Sequence, residues 1–190
     1  MSRGVLVVLA GTSGAGKGTL GQRLRDADPA LRWSVSWTSR SPRPGEVPGV
    51  DYHFKTREEF EALRDAGGFL EWFDVYGDLK GTPKGFVDDA LAAGHDVLLE
   101  IDVQGALEVR EKEPDALLVF VRAPSPEEQR RRLESRGADD PEAIERRLAR
   151  AAAEEEIARE RFDAVIVNDD VDRAATELAA IVKGRRRGDG

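Results

Sequence analysis

An α/β fold, a parallel sheet flanked by helices, is the architecture the sequence predicts, and three observations carry that expectation. The apolar run Val5 to Ala10 suits a strand buried on both faces, and it leads through a glycine-rich turn into a helical stretch. Strand-like and helical segments then alternate along the chain, the pattern that builds a doubly wound sheet with right-handed crossovers. At 190 residues, with no Pro-, Gly- or Ser-rich linker, the chain supplies one core.

The turn after the first strand carries chemistry. Gly11-Thr12-Ser13-Gly14-Ala15-Gly16-Lys17 matches seven positions of the P-loop pattern G-x-x-x-x-G-K-[ST]. Its glycines accept backbone angles closed to other residues, so successive N–H groups turn inward around a phosphate, and Lys17 brings a mobile cation. The helix starting near Lys17 points its positive end at the same anion. The eighth position departs from the pattern: Gly18 stands where a hydroxyl usually meets magnesium, and the hydroxyl comes one residue later, at Thr19. A ligand-free glycine turn is the alternative, disfavoured because strand, turn, lysine and helix occur in the motif's order.

Leu20 to Arg25 continues that helix, which ends at Asp28-Pro29. Residues 33 to 37, WSVSW, alternate as one strand with a polar face. Between Ser36 and Phe54, three prolines and two glycines exclude a helix. Arg40 and Arg43 in this loop suit forked contacts to a phosphate monoester, with Tyr52 as a hydroxyl donor; from the residues alone, a solvated surface loop is an equal reading. Arg57 to Ala66 forms a short amphipathic helix. Phe69 to Val75 alternates as a strand that puts Glu71 on the face of Phe69 and Phe73, where a carboxylate needs a partner, an arginine being one candidate.

Strand Asp96 to Ile101 aims Glu100 and Asp102 to one side at its C-terminal end, the ligand end of an open parallel sheet. A helix at Gln104 to Lys112, a strand at Leu117 to Val121 and a helix at Pro126 to Ser135 follow. A long helix then carries Arg146 and Arg150 ahead of Glu154, Glu155 and Glu156, and for these, as for Arg130 and Arg131 on the helix before it, solvated intrahelical pairs are the plain expectation. Strand Ala164 to Val167 ends at Asn168, a helix spans Asp172 to Lys183, and the residues from 184 to 190 read as a disordered polar tail.

Composition narrows the functional classes. No cysteine excludes disulfides and thiolate metal sites, and two histidines make a His-rich centre unexpected. No segment is long and apolar enough to span a membrane, so a cytoplasmic location is the default. A net charge of −8 argues against nucleic acid as a partner. Residues 130 to 150 nevertheless carry seven arginines against five acids, which asks for an anionic ligand.

With these residues in view, the chain resembles the guanylate kinases. The G-x-G-K-G-T turn resembles nucleoside monophosphate kinases generally, and Ser36 to Phe54 is similar to the family pattern S-x-x-T-x-R-x-P-R-x-G-E-x-x-G-x-D-Y-x-F at every fixed position. Similarity continues through Glu71-Trp72, Gly81 to Pro83, Glu100 to Gly105, Arg132 to Gly137 and Val165 to Asp170. The resemblance implies transfer of the ATP γ-phosphoryl group to GMP, and to dGMP, giving ADP and GDP. It implies ATP contacts from Gly11 to Thr19, Arg132 and Asn168, and GMP contacts from Ser36, Arg40, Arg43, Glu46, Tyr52, Glu71, Lys80, Thr82, Glu100 and Asp102. Lys17, Arg43, Arg136 and Arg147 are the implied catalytic residues. Mg²⁺ is expected to be held mainly by nucleotide phosphates and water, with Thr19 and Glu100 as candidate protein donors. Lys80 departs from the family, whose members commonly place there a tyrosine that reaches the GMP phosphate. The implied division is a P-loop core at about 1–33, 84–125 and 158–184, a small mixed GMP-binding segment at about 34–83 and a helical lid at about 126–157. Monomer or small homo-oligomer is expected. Another base preference, or a non-catalytic phosphopeptide-binding scaffold, is the alternative.

Overall fold

The computed structural model describes residues 3–75, 77–135 and 140–188, which assemble around two sheets. Five strands, β1 (Leu6–Gly11), β2 (Arg32–Trp33), β7 (Val97–Glu100), β8 (Leu117–Arg122) and β9 (Ala164–Val167), form the larger one in the order β2-β7-β1-β8-β9, with every pair parallel. Parallel neighbours need crossovers, and the crossovers are helices that cover both faces. Val7 and Leu9 of β1 pack against α1 (Lys17–Ala27) and α7 (Val171–Arg187) through Leu20, Leu24, Leu178 and Val182. Leu6, Val8 and Ala10 face the other way, onto Val87 and Leu91 of α3 (Lys84–Ala92) and Ala106 and Val109 of α4 (Val103–Lys112).

A smaller mixed sheet has the order β4-β3-β6-β5, from β3 (Trp37–Thr38), β4 (His53–Phe54), β5 (Phe69–Val75) and β6 (Asp78–Pro83). Its core is aromatic. Phe60 of α2 (Arg57–Asp65) stacks on Phe69 at 4.3 Å between centroids, and Trp37 meets Phe69 edge-on at 5.9 Å. A reciprocal capping box between Thr56 and Glu59 starts α2. Two further helices, α5 (Pro126–Ser135) and α6 (Pro141–Arg161), precede β9.

Three expectations need correction. WSVSW is not one strand: β2 ends at Trp33 in the large sheet and β3 begins at Trp37 in the small one, so the chain changes sheets between them. Alternation alone does not reveal such a crossing, because both halves keep the period of two. Residues 84 to 92, given no element from sequence, form α3 with Val87 and Leu91 buried at helical spacing. The expected tail is helix: α7 runs to Arg187, and Gly188 closes it with φ 77°. The physical reason is charge pairing, since Arg186 donates to Asp28 and Asp96, and Arg185 to the Asp115 carbonyl. Asp189 and Gly190 lie outside the described residues.

Shortening the chain at Lys183 is therefore expected to lower stability by about 1–2 kcal/mol, the scale of charge-assisted bonds at partly exposed sites. Arg186→Ala should reproduce most of the loss in urea unfolding, and Arg131→Ala, on a side chain 77% exposed, should cause none.

Candidate active site

β1 delivers the glycine turn to the C-terminal edge of the large sheet. At Gly11 a Cβ would lie 2.1 Å from the Val121 carbonyl oxygen, so only glycine lets β1 pair with β8 there. Gly16, the N-cap of α1, has φ 90°, and a Cβ on it would fall 2.4 Å from Asn168 Nδ2. Donors hold the turn from outside: Gln129 Nε2 reaches the Ser13 carbonyl at 2.7 Å, and Asn168 Nδ2 the Ala15 carbonyl at 2.7 Å. Arg132 donates to the Asn168 carbonyl at 2.9 Å, and Arg147 to Ser13 Oγ at 2.7 Å. Lys17 Nζ donates to the Gly11 carbonyl at 2.7 Å. The N–H groups of Ser13, Gly14 and Gly16 have no backbone acceptor among the described residues, as an anion cradle at a helix start requires. Thr12 is buried, with its hydroxyl unpaired, and Gly18 and Thr19 are exposed.

β5 and β6 build a second polar centre. Antiparallel register sets Glu71 opposite Thr82, and the Thr82 hydroxyl donates to Glu71 Oε1 at 2.5 Å. Glu71 is only 3% exposed. Burial pushes its carboxyl up to about 7, against the pull of the Thr82 hydrogen bond and the Lys80 charge. In the loop before β4, Glu46 grips both terminal nitrogens of Arg40, at 2.6 and 2.7 Å, and accepts the Arg43 N–H at 2.7 Å. Those bonds hold the Glu46 carboxyl down at about 2. The Arg40 guanidinium and the Lys80 ammonium lie 5.1 and 5.0 Å from the Tyr52 ring centre, while the Arg43 side chain is exposed. Ser34, Ser36, Tyr52, Lys80 and Glu100 line one cavity of about 230 Å³.

Between these centres, Glu100 ends β7 with its carboxylate 3.6 Å from where a Gly18 Cβ would sit. Burial raises its carboxyl, and Lys17 and Lys80 oppose the shift. Asp102 caps α4 by accepting the Gly105 N–H at 2.9 Å, and Arg150 approaches it at 3.6 Å. Gly11, Ser13, Lys17, Asp102, Arg147, Arg150 and Glu154 line a cavity of about 530 Å³. Arg150 also keeps its expected intrahelical partner, bonding Glu154 at 2.7 Å, whereas Arg130, expected to pair within its own helix, bonds Glu145 of α6 at 2.6 Å. Arg136 lies outside the described residues.

The family described as guanylate kinase matches residues 3–185. The chain belongs to the guanylate kinase family. A guanylate kinase of Rubrobacter xylanophilus is 53% identical over 96% of this chain and 95% of its own length. One of Symbiobacterium thermophilum is 50% identical over 97% and 87%. Among solved structures, a guanylate kinase from Anaplasma phagocytophilum superposes with a TM-score of 0.77 at 34% identity, over 97% of this chain and 87% of that one.

Two residues in this guanylate kinase fold escaped sequence reasoning. Gln129 is 4% exposed on a helix whose sequence, PEEQRRRLES, reads as solvated. Ser34 is buried with an unpaired hydroxyl, and its signal was available: in WSVSW it shares a face with Ser36.

The buried carboxyl has a consequence for stability. Between about 4.5 and about 7 the folded chain keeps a proton on Glu71 that the unfolded chain has lost, so stability falls as pH rises through that window. Glu71→Gln cannot ionise and still accepts from Thr82. Its melting midpoint should exceed wild type at about pH 8 and match it at about pH 5; equal midpoints at the higher pH would show that burial does not strain this carboxylate.

Proposed function

We propose that the two cavities are the donor and acceptor sites of one phosphoryl transfer, from ATP to GMP, giving ADP and GDP, with dGMP as a second acceptor. One observation carries this arrangement: Glu100 lies against Gly18 of the P-loop and also lines the cavity of Tyr52 and Lys80, so donor and acceptor phosphates would meet beside it. Glu71 takes the N1–H and N2–H₂ of guanine, and Thr82 turns its hydroxyl to O6. Arg40, Arg43, Tyr52 and Lys80 hold the acceptor phosphate, with Ser36 and Asp102 on its flank. Glu46 acts through Arg40, which it fixes.

On the donor side, the N–H groups of Ser13, Gly14 and Gly16, which have no backbone acceptor among the described residues, hold the outer phosphates together with Lys17. Lys17 exchanges its own-loop carbonyl contact for them. Asn168 and Arg132 support the loop on the adenine side. Arg147, already at Ser13 on α6, and Arg136, whose role rests on its motif match, close over the transferring group in a lid formed by about 126–157. Such a transfer asks the protein for alignment and charge neutralisation, with no general base.

The donor set suits a hard divalent ion. The Glu100 carboxylate beside Gly18 and the exposed Thr19 are the oxygen donors that would meet a Mg²⁺ arriving on the nucleotide and keeping several waters. When bound, the ion neutralises charge on the bridging phosphate oxygens. No helix among the described residues is long and apolar enough to cross a membrane.

Lys17→Met is expected to lower turnover at least ~10²-fold while GMP binding survives, and a coupled ADP-release assay with calorimetric GMP titration would check both. Near-normal turnover would sink the donor-site assignment. In the same assay kcat/KM for GMP should exceed that for AMP by ~10⁴-fold or more, because adenine leaves Glu71 and Thr82 mispaired. Comparable use of AMP would refute the guanine assignment.

A further inference from the structure

Lys80 is the member of the acceptor site that the family pattern does not supply, and its surroundings suggest a task beyond holding a phosphate. The β5–β6 register pairs Glu71 with Thr82 and Phe73 with Lys80, so Lys80 is the diagonal neighbour of Glu71 on the same face, within reach of a long side chain. Arg40 is already neutralised by Glu46 through two short bonds. Lys80 makes no ion pair among the described residues; its ammonium rests on the Tyr52 ring.

The other charges around Glu71 come from the elements packed on β5. From α4, Asp102 and Glu108 add negative charge and oppose its ionisation. Lys112, also on α4, is spent on the Phe69 and Leu70 carbonyls. From α3, Lys84 pairs with Asp88 and Glu113, and from α2, Arg64 pairs with Asp65. Glu100, at the end of β7, itself feels Lys80. Lys80 is therefore the cation whose field favours the charged form of Glu71.

We infer that Lys80 is a positioning residue for guanine recognition: its ammonium offsets the charge of the Glu71 carboxylate inside the buried acceptor site. The inference rests on Glu71 reading guanine. It follows that GMP, whose base presents only donors to that carboxylate, binds the ionised form and drives a proton from Glu71 to solvent.

The experiment is calorimetric GMP titration between pH 7 and 9, each pH in two buffers of different ionisation enthalpy, for wild type, Lys80→Gln, Lys80→Arg and Glu71→Gln. Wild type should release about half a proton per GMP at pH 7 and almost none at pH 9. Lys80→Gln should release more of a proton than wild type at pH 7, and its loss of affinity relative to wild type should grow severalfold from pH 9 to 7. Lys80→Arg should restore the wild-type profile. Release that persists in Glu71→Gln comes from other groups, the GMP phosphate and Glu100 among them, and is subtracted. A Lys80→Gln deficit that is constant across the range, with unchanged proton release, overturns the inference and leaves Lys80 a phosphate contact alone. Failure of the underlying assignment has a different signature: Glu71→Gln would then keep the preference for GMP over AMP.

Discussion

Strand β1 is buried along its whole length and paired on both edges, with β7 and β8. It leaves that environment at Gly11, where the Val121 carbonyl leaves no room for a side chain. The P-loop consequently starts at the C-terminal edge of a strand fixed by pairing on both sides. The same parallel register brings Leu9 beside Glu100, so the carboxylate between the two cavities is set by backbone pairing in the core. A one-residue slip would turn Glu100 to the opposite face and separate the cavities.

Around that edge the molecule treats carbonyls and N–H groups differently. The carbonyls of Ser13, Ala15 and Asn168 are satisfied from α5 and by Asn168 itself. The N–H groups of Ser13, Gly14 and Gly16 have no backbone acceptor among the described residues. A loop held this way needs little reorganisation to receive an anion, which is where rigid dipoles contribute most. The acceptor side has the opposite character: a carboxylate that burial strains toward neutrality is balanced by one hydroxyl and one nearby ammonium.

Much of this was legible in the residues. Val5 to Ala10, the glycine turn and the alternation of strands and helices pointed to the sheet and its ligand edge, because buried parallel strands and P-loops follow local rules of composition and backbone freedom. Glu71 was legible as a carboxylate in need of a partner; that the partner is Thr82 depends on β5–β6 register. What escaped sequence reasoning shares one cause, dependence on contacts distant in sequence. WSVSW changes sheets midway, Gln129 turns inward to a loop 116 residues earlier, and Arg186 finds acids 158 and 90 residues away. Arg130 likewise takes its partner, Glu145, from the next helix.

The docking of α7 onto α1 has a bearing on biosynthesis. Helix α1 emerges among the first residues, yet its apolar side is covered by Leu178 and Val182, and Asp28 just beyond it is bound by Arg186. A chain growing at about 5–20 residues per second holds that surface uncovered for on the order of ten seconds or more before its cover is made.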